Sequence, residues 1–243
     1  MDDNVNRLQL KYCIAVDCVQ CGKIKSRVVG GREVKAYSIP WQVGLVNMKG
    51  DTPSCGGMMI KDDVVLTAAH CIDIDHLDDI CRSSGRCTST PMYVVSKVHN
   101  FRSQNIPDEN YHKICHVEKH PRWNSRTFDY DFALLYLQSP ITCWDGRANI
   151  VCLPYRSRKF SDKYLGRRKK VLRVSGWGLK EDETRASGLR SVKQIAMTNR
   201  ECNHVFKNKS IKIHRNMLCA GAENQSGKDA CQGDSGGTIN MIE

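Results

Sequence analysis

The chain contains no run of 18 apolar residues, which excludes a helical membrane span within it. Its opening, MDDNVNRLQL, is acidic and polar, and lacks the basic segment and apolar run of a secretory signal. It has a C-x-x-C pair at Cys18 and Cys21 but no second such pair and no nearby histidines, which argues against a structural zinc site. What the chain does have is 13 cysteines in 243 residues, the mark of disulfides formed in an oxidising compartment. The odd count leaves at least one cysteine without a partner in the chain. Many disulfides and no leader are reconciled if Met1 is not the true start, so we expect a precursor that is secreted or anchored through upstream sequence. The N-x-S sequons at Asn208 and Asn224 agree with export and are candidate glycosylation sites.

The net charge is +11, and much of it lies between Arg156 and Arg173. That stretch reads either as a solvated loop or as a patch for an anionic polysaccharide or acidic protein. Nucleic acid does not fit an oxidising compartment. The grouping His112, Cys115, His116, His120 does not follow a standard ligand spacing, so we expect no metal and no cofactor.

Gly233-Asp234-Ser235-Gly236-Gly237 is the stretch around which the remaining motifs fall into place. A serine hydroxyl attacks a carbonyl usefully only when a base takes its proton and donors hold the developing oxyanion. Upstream, the apolar run Val64-Val65-Leu66 ends in Thr67-Ala68-Ala69-His70-Cys71, sixteen positions after Cys55. Further on, Asp129-Tyr130-Asp131 leads into the apolar strand Phe132 to Leu137. An aspartate heading into a core is costly unless paired, and holding a histidine N–H would satisfy it. Ile39 to Leu45 reads as another strand. Lys180 to Gly188 reads as an exposed polar loop. Arg27-Val28-Val29-Gly30-Gly31 reads as an accessible cleavage site, and residues 1–27 carry too little apolar material to fold alone.

Together these strings resemble the trypsin/chymotrypsin family of secreted serine proteases, in the family's order of His, Asp and Ser, from Val28 to the end of the chain. The resemblance implies an all-β fold of two antiparallel six-stranded barrels, with residues 1–27 as pro-segment and 28–243 as protease domain. It implies His70 as general base, Asp131 as its orienting acid (Asp129 being the alternative) and Ser235 as nucleophile. The N–H groups of Gly233 and Ser235 would form the oxyanion hole. Asp229, six residues before Ser235, would sit at the base of the specificity pocket and select Arg or Lys before the cut bond. Cleavage after Arg27 by an activating protease would free Val28 to pair with Asp234. Cys55–Cys71 and Cys202–Cys219 would be disulfides, and Cys21–Cys152 would tether the cut pro-segment. Cys81 and Cys87 suit a local ring, and Cys115 could reach Cys143. Substrates would be proteins and peptides, and protein inhibitors are further partners to expect.

Three features depart from the family pattern. Thr238 stands where a proline is common. Leu172 and Met241 fall where relatives often carry a bridged cysteine pair. The sequence stops eight residues after Ser235, so we expect a second barrel that lacks its last strands and helix, and with them the usual partner of Cys231. The alternative reading is an inactive protease-fold product that acts as a binding or decoy module through its basic surface.

Overall fold

A computed structural model describes residues 32–72, 92–102, 105–143, 145–153, 171–180, 182, 184–207, 213–214, 216–221 and 233–241. Arg27, Val28, Cys21, Asn208, Asn224, Asp229, Cys231 and most of the basic stretch lie outside these residues.

Two antiparallel sheets make the fold. The first is a closed barrel of β2 (Gln42–Val46), β3 (Cys55–Met59), β4 (Val64–Thr67), β7 (Ala133–Leu137), β6 (Tyr111–Lys119) and β5 (Tyr93–Val95), in that order around the barrel. The strand pattern is the expected one, since β7 alternates buried and half-buried along Ala-Leu-Leu-Tyr-Leu. β2 is buried at every residue. Strand β2 starts three residues later than Ile39, because Ile39 and Gln42 close a turn around Pro40, which has no N–H to give to a ladder. The second sheet is open, in the order β1 (Arg32–Glu33), β9 (Arg190–Met197), β8 (Val171–Gly176), β11 (Thr238–Met241), with β10 (Cys219–Gly221) also on β9. The sheet is therefore less than a full six-stranded barrel among the described residues. Leu172 and Met241 are register partners across β8 and β11, the geometry that a bridged pair needs. Helix α1 (Asn199–Val205) begins with a capping box, in which the Thr198 side chain and Glu201 satisfy each other's backbone N–H groups. The buried Cys202 on this helix is bonded to Cys219.

A single apolar cluster runs through the barrel and reaches the second sheet through Trp177. That ring is fully buried, lies edge-on to Phe101 at 5.0 Å between centroids, and donates its N–H to the His99 carbonyl at 3.0 Å. A second link is polar. Gln42, buried on β2, accepts at Oε1 from the Ser175 hydroxyl at 3.0 Å and from the Thr238 N–H at 3.4 Å. The Thr238 hydroxyl donates to the same oxygen. A proline at position 238 could supply neither donor.

Two outcomes follow. Gln42→Leu strips the acceptor from two buried hydroxyls, so it should cost about 1–3 kcal/mol of stability, read by denaturant unfolding. His112 lies half-buried with its Nε2 against the Ser96 hydroxyl at 2.9 Å. Burial, and then the charge of Lys97, pulls its imidazole down to about 4 from 6.5. The unfolded chain therefore binds this proton first as pH falls through 6.5, and stability is lost down to about pH 4. The loss from this group is at most about 3 kcal/mol, and His112→Gln should shrink the pH 7 to pH 4 stability difference accordingly.

Candidate active site

The end of β4 and the turn that follows it set the histidine. After Thr67, residues Ala69–Cys71 form one 3₁₀ turn, and Ala68 and Ala69 are buried beneath it. The Cys55–Cys71 disulfide fixes the far side of the turn to β3. This exposes His70 while holding its backbone. Asp131, just before β7, grips that residue twice: Oδ1 accepts the His70 backbone N–H at 2.9 Å, and Oδ2 meets Nδ1 at 2.6 Å. An ionised carboxylate only accepts, so the Nδ1 proton points at Asp131 and Nε2 carries the lone pair. Asp129, the alternative, is engaged elsewhere by the Asn216 side chain.

The serine turn comes from the second sheet. Gly233 and Gly236 flank Ser235 at φ of +100° and +72°, a backbone region that only glycine enters without strain. Gly236 also packs against the Thr67 hydroxyl and the Gly56 carbonyl, where a Cβ would collide. The Ser235 carbonyl accepts from the Gly56 N–H at 2.7 Å. Ser235 is thus held against β3 and the end of β4, two strands of the barrel that carries His70. Its hydroxyl makes no hydrogen bond to His70 here. Nε2 lies 3.8 Å from Cys71 Sγ, a weak contact that leaves its lone pair available. Asp234 Oδ1 accepts from the Gly178 N–H at 2.8 Å.

An aromatic group sits beside the imidazole. Phe128 is exposed, lies edge-on to His70 at 5.6 Å, and also meets Trp123 at 5.8 Å. Phe128 and Tyr130 hold φ of 55° and 54°, left-handed values for bulky residues on the approach to Asp131.

Of the cysteine expectations, Cys55–Cys71 and Cys202–Cys219 are formed. Cys152, Cys115 and Cys143 are also disulfide-bonded. Cys55, His70 and Cys71 present three ligand atoms within 4.8 Å of one another, but both sulfurs are spent in the disulfide. In the His112 group, Cys115 is disulfide-bonded, His116 lies beside Tyr136, and His120 stacks on Tyr130 at 4.6 Å.

Several participants were not evident in the sequence. Gly56 and Thr67 carry no local mark of these contacts, and Gln42 stands out in no way from the rest of the strand read from Ile39 to Leu45. The loop from Lys180 to Gly188 is not simply exposed: Ala186 is buried and donates to the Gly178 carbonyl, and Arg185 Nη1 donates to the Pro53 carbonyl of the barrel at 2.8 Å. The one local sign of the Phe128 contact in the sequence is a phenylalanine three residues before Asp131.

Fold and site define a class, an all-β protein in which a His–Asp pair on a closed barrel and a serine turn from a second sheet meet at the seam. Within that class the chain belongs to the trypsin family of serine proteases, whose family model, described as Trypsin, matches residues 28–242. It is 33% identical over 214 residues to Trypsin 5G1 of Aedes aegypti, across 88% of this chain and 70% of that protein. It is 28% identical over 220 residues to mannan-binding lectin serine protease 1 of Homo sapiens, across 89% of this chain and 30% of that protein. It is 31% identical over 220 residues to the suppressor of tumorigenicity 14 protein homolog of Bos taurus, across 90% of this chain and 24% of that protein. The chain therefore spans most of the first relative and less than a third of the other two.

Gly178→Ala tests the Asp234 seat. A Cβ there would lie 2.6 Å from the Asp234 Cγ, so the carboxylate must move and lose its N–H donor. The expected loss is about 1.5–3 kcal/mol of stability, the range for a hydrogen bond to a charged group, measured by denaturant unfolding.

Proposed function

We propose that this chain is a serine endopeptidase zymogen that cleaves after Arg or Lys through a Ser-His-Asp acyl-enzyme mechanism. The observation that carries the reading is the double grip of Asp131 on His70, at the backbone N–H and at Nδ1. It sets the tautomer in which Nε2 can take a proton from a serine. Ser235 is the nucleophile, and its proton passes to Nε2 and on to the leaving amine. Asp131 stabilises the imidazolium that forms in between. The backbone N–H groups of Gly233 and Ser235 hold the oxyanion. The positive φ of Gly233, two residues before Ser235, supports that role.

Asp229 is proposed to select the basic side chain, because an apolar one would leave its charge buried and unpaired. Activation is proposed to follow cleavage after Arg27, with the Val28 ammonium pairing with Asp234. Cys21 is the proposed partner of Cys152, and Asn208 and Asn224 are proposed glycosylation sites. Residues 1–27 act as pro-segment and 28–243 as the protease domain. The protein is proposed to act outside the cell, on protein substrates and under the control of an activating protease and protein inhibitors.

The test is covalent labelling with a fluorophosphonate, before and after limited cleavage at Arg27. Wild type should label only after cleavage, Ser235→Ala not at all, and Arg27→Gln should stay silent under the same treatment. Asp131→Asn should lower kcat by about 10⁴-fold through the wrong tautomer. Asp229→Ser should abolish hydrolysis of Arg and Lys amides. No labelling of cleaved wild type would overturn the protease reading, and full labelling of Arg27→Gln would overturn the activation step.

A further inference from the structure

Arg173 is a cation that the fold partly buries and leaves without a counter-charge. It lies in the middle of β8, half-buried, and its Nε–H is sheltered with no hydrogen-bond acceptor. Burial pulls its guanidinium below the ordinary value, and no acid among the described residues acts against that shift. A charge taken out of water is ordinarily paired, because otherwise its lost hydration goes uncompensated.

Its neighbours add to the cost. Arg173 is the register partner of Lys193 on β9 and of Asn240 on β11. Directly opposite residues of an antiparallel pair leave the same face, with Cβ atoms about 5 Å apart. The three side chains therefore form one row across three strands, about 10 Å long at the usual strand spacing. Lys193 is exposed and Asn240 half-buried, so the row is open to solvent. Two like charges stand directly opposite one another, which destabilises a sheet. Neither cation is bonded to a carboxylate among the described residues. The acids described nearest in the fold are engaged elsewhere: Glu33 with His99, Asp182 with Lys180, and Asp234 with the Gly178 N–H. Two residues along the same face of β8, Ser175 is buried against Gln42 at the seam. The row thus begins where the seam opens to solvent, apart from His70 and Asp131 on the barrel.

An anion laid across the row would relieve both costs at once. We propose that Asn240, Arg173 and Lys193 form a docking site for a linear sulfated polysaccharide. A sulfate group offers three oxygens to donors that converge from three strands, whereas a carboxylate offers two in one plane. With Nε sheltered, Arg173 presents its terminal nitrogens, and the side-on fork to a carboxylate is closed. Repeated charge is called for by the sequence, since Arg167-Arg168-Lys169-Lys170 immediately precede β8 and the chain as a whole carries +11. A single small anion would answer the row alone, and a polyanion answers the row and the field around it. Binding here requires no catalysis, so it is open to an active and to an inactive chain.

The experiment titrates the full chain with a heparin octasaccharide at about 0.15 M salt and reads Kd. Arg173→Gln should raise Kd about 10-fold, the scale of a charge-assisted hydrogen bond. Lys193→Gln should raise it about 3-fold, the scale of an exposed ion pair. Lys61→Gln removes the same charge from the exposed turn between β3 and β4, and should change Kd by less than about 2-fold. The desulfated octasaccharide and a polyglutamate of matched charge should both bind more weakly than the sulfated probe. Wild type alone supplies a second measurement, which does not depend on a variant folding. The octasaccharide should shield Lys193 from acetylation, read by mass spectrometry, and leave Lys61 reacting as before. Equal Kd values for Arg173→Gln and Lys61→Gln, or an unshielded Lys193, overturn the site. Tighter binding of polyglutamate than of the sulfated probe overturns the polysaccharide as its occupant and points to an acidic protein. None of these outcomes bears on the protease reading, which the fluorophosphonate label tests separately.

Discussion

Two consecutive residues of one strand hold the site together. On β3, Cys55 is bonded to Cys71, next to His70, while the Gly56 N–H holds the Ser235 carbonyl at 2.7 Å. The imidazole and the serine turn come from different sheets, and this dipeptide is where their positions are referred to one another. Such an arrangement suits proton transfer, which depends on distances set to a few tenths of an ångström. A closed barrel supplies the stiffness. Its strands have no free edge, and each side chain that matters leaves it at a strand end: His70 after β4 and Asp131 before β7.

The seam has two kinds of contact, and they do different work. Trp177 extends the apolar core from one sheet toward the other, fully buried and edge-on to Phe101. Gln42, Ser175 and Thr238 form a buried polar node that contributes little net free energy but accepts only one registry of the sheets. Sliding β8 by one residue would bury the Ser175 hydroxyl without its acceptor.

Much of this could be read from the residues. His70, Asp131 and the Gly233–Gly237 turn stood out because each is a rare local pattern: a histidine closing an apolar run, an aspartate entering one, a serine between glycines. Leu172 and Met241 were paired by analogy and do stand in register. What could not be read were contacts between residues far apart in the chain that are ordinary in type. Gln42 meets Thr238 across 196 positions, and Arg185 meets Pro53 across 132. Neither residue differs locally from a strand polar residue or a loop cation. Thr238 shows the point from the other side: it stood out as a departure from a familiar proline, yet its reason is a glutamine that the sequence places near the other end of the chain. The loop around Arg185 looked exposed because its residues are polar, and composition does not report that one of them reaches across to the barrel.

The unequal closure of the two sheets bears on how the molecule wears out. His70 and Asp131 belong to the edgeless barrel, whereas Ser235 lies three residues before β11, which among the described residues pairs with β8 alone and exposes Ile239. Openings of a fold start where backbone hydrogen bonds are fewest and most solvent-exposed. On warming, β11 should therefore let go while the barrel is still intact, and the serine would drift from a histidine that has not moved. The working lifetime of such a protein is then a detachment time, set by one strand and its glutamine anchor, and shorter than the time its barrel takes to melt.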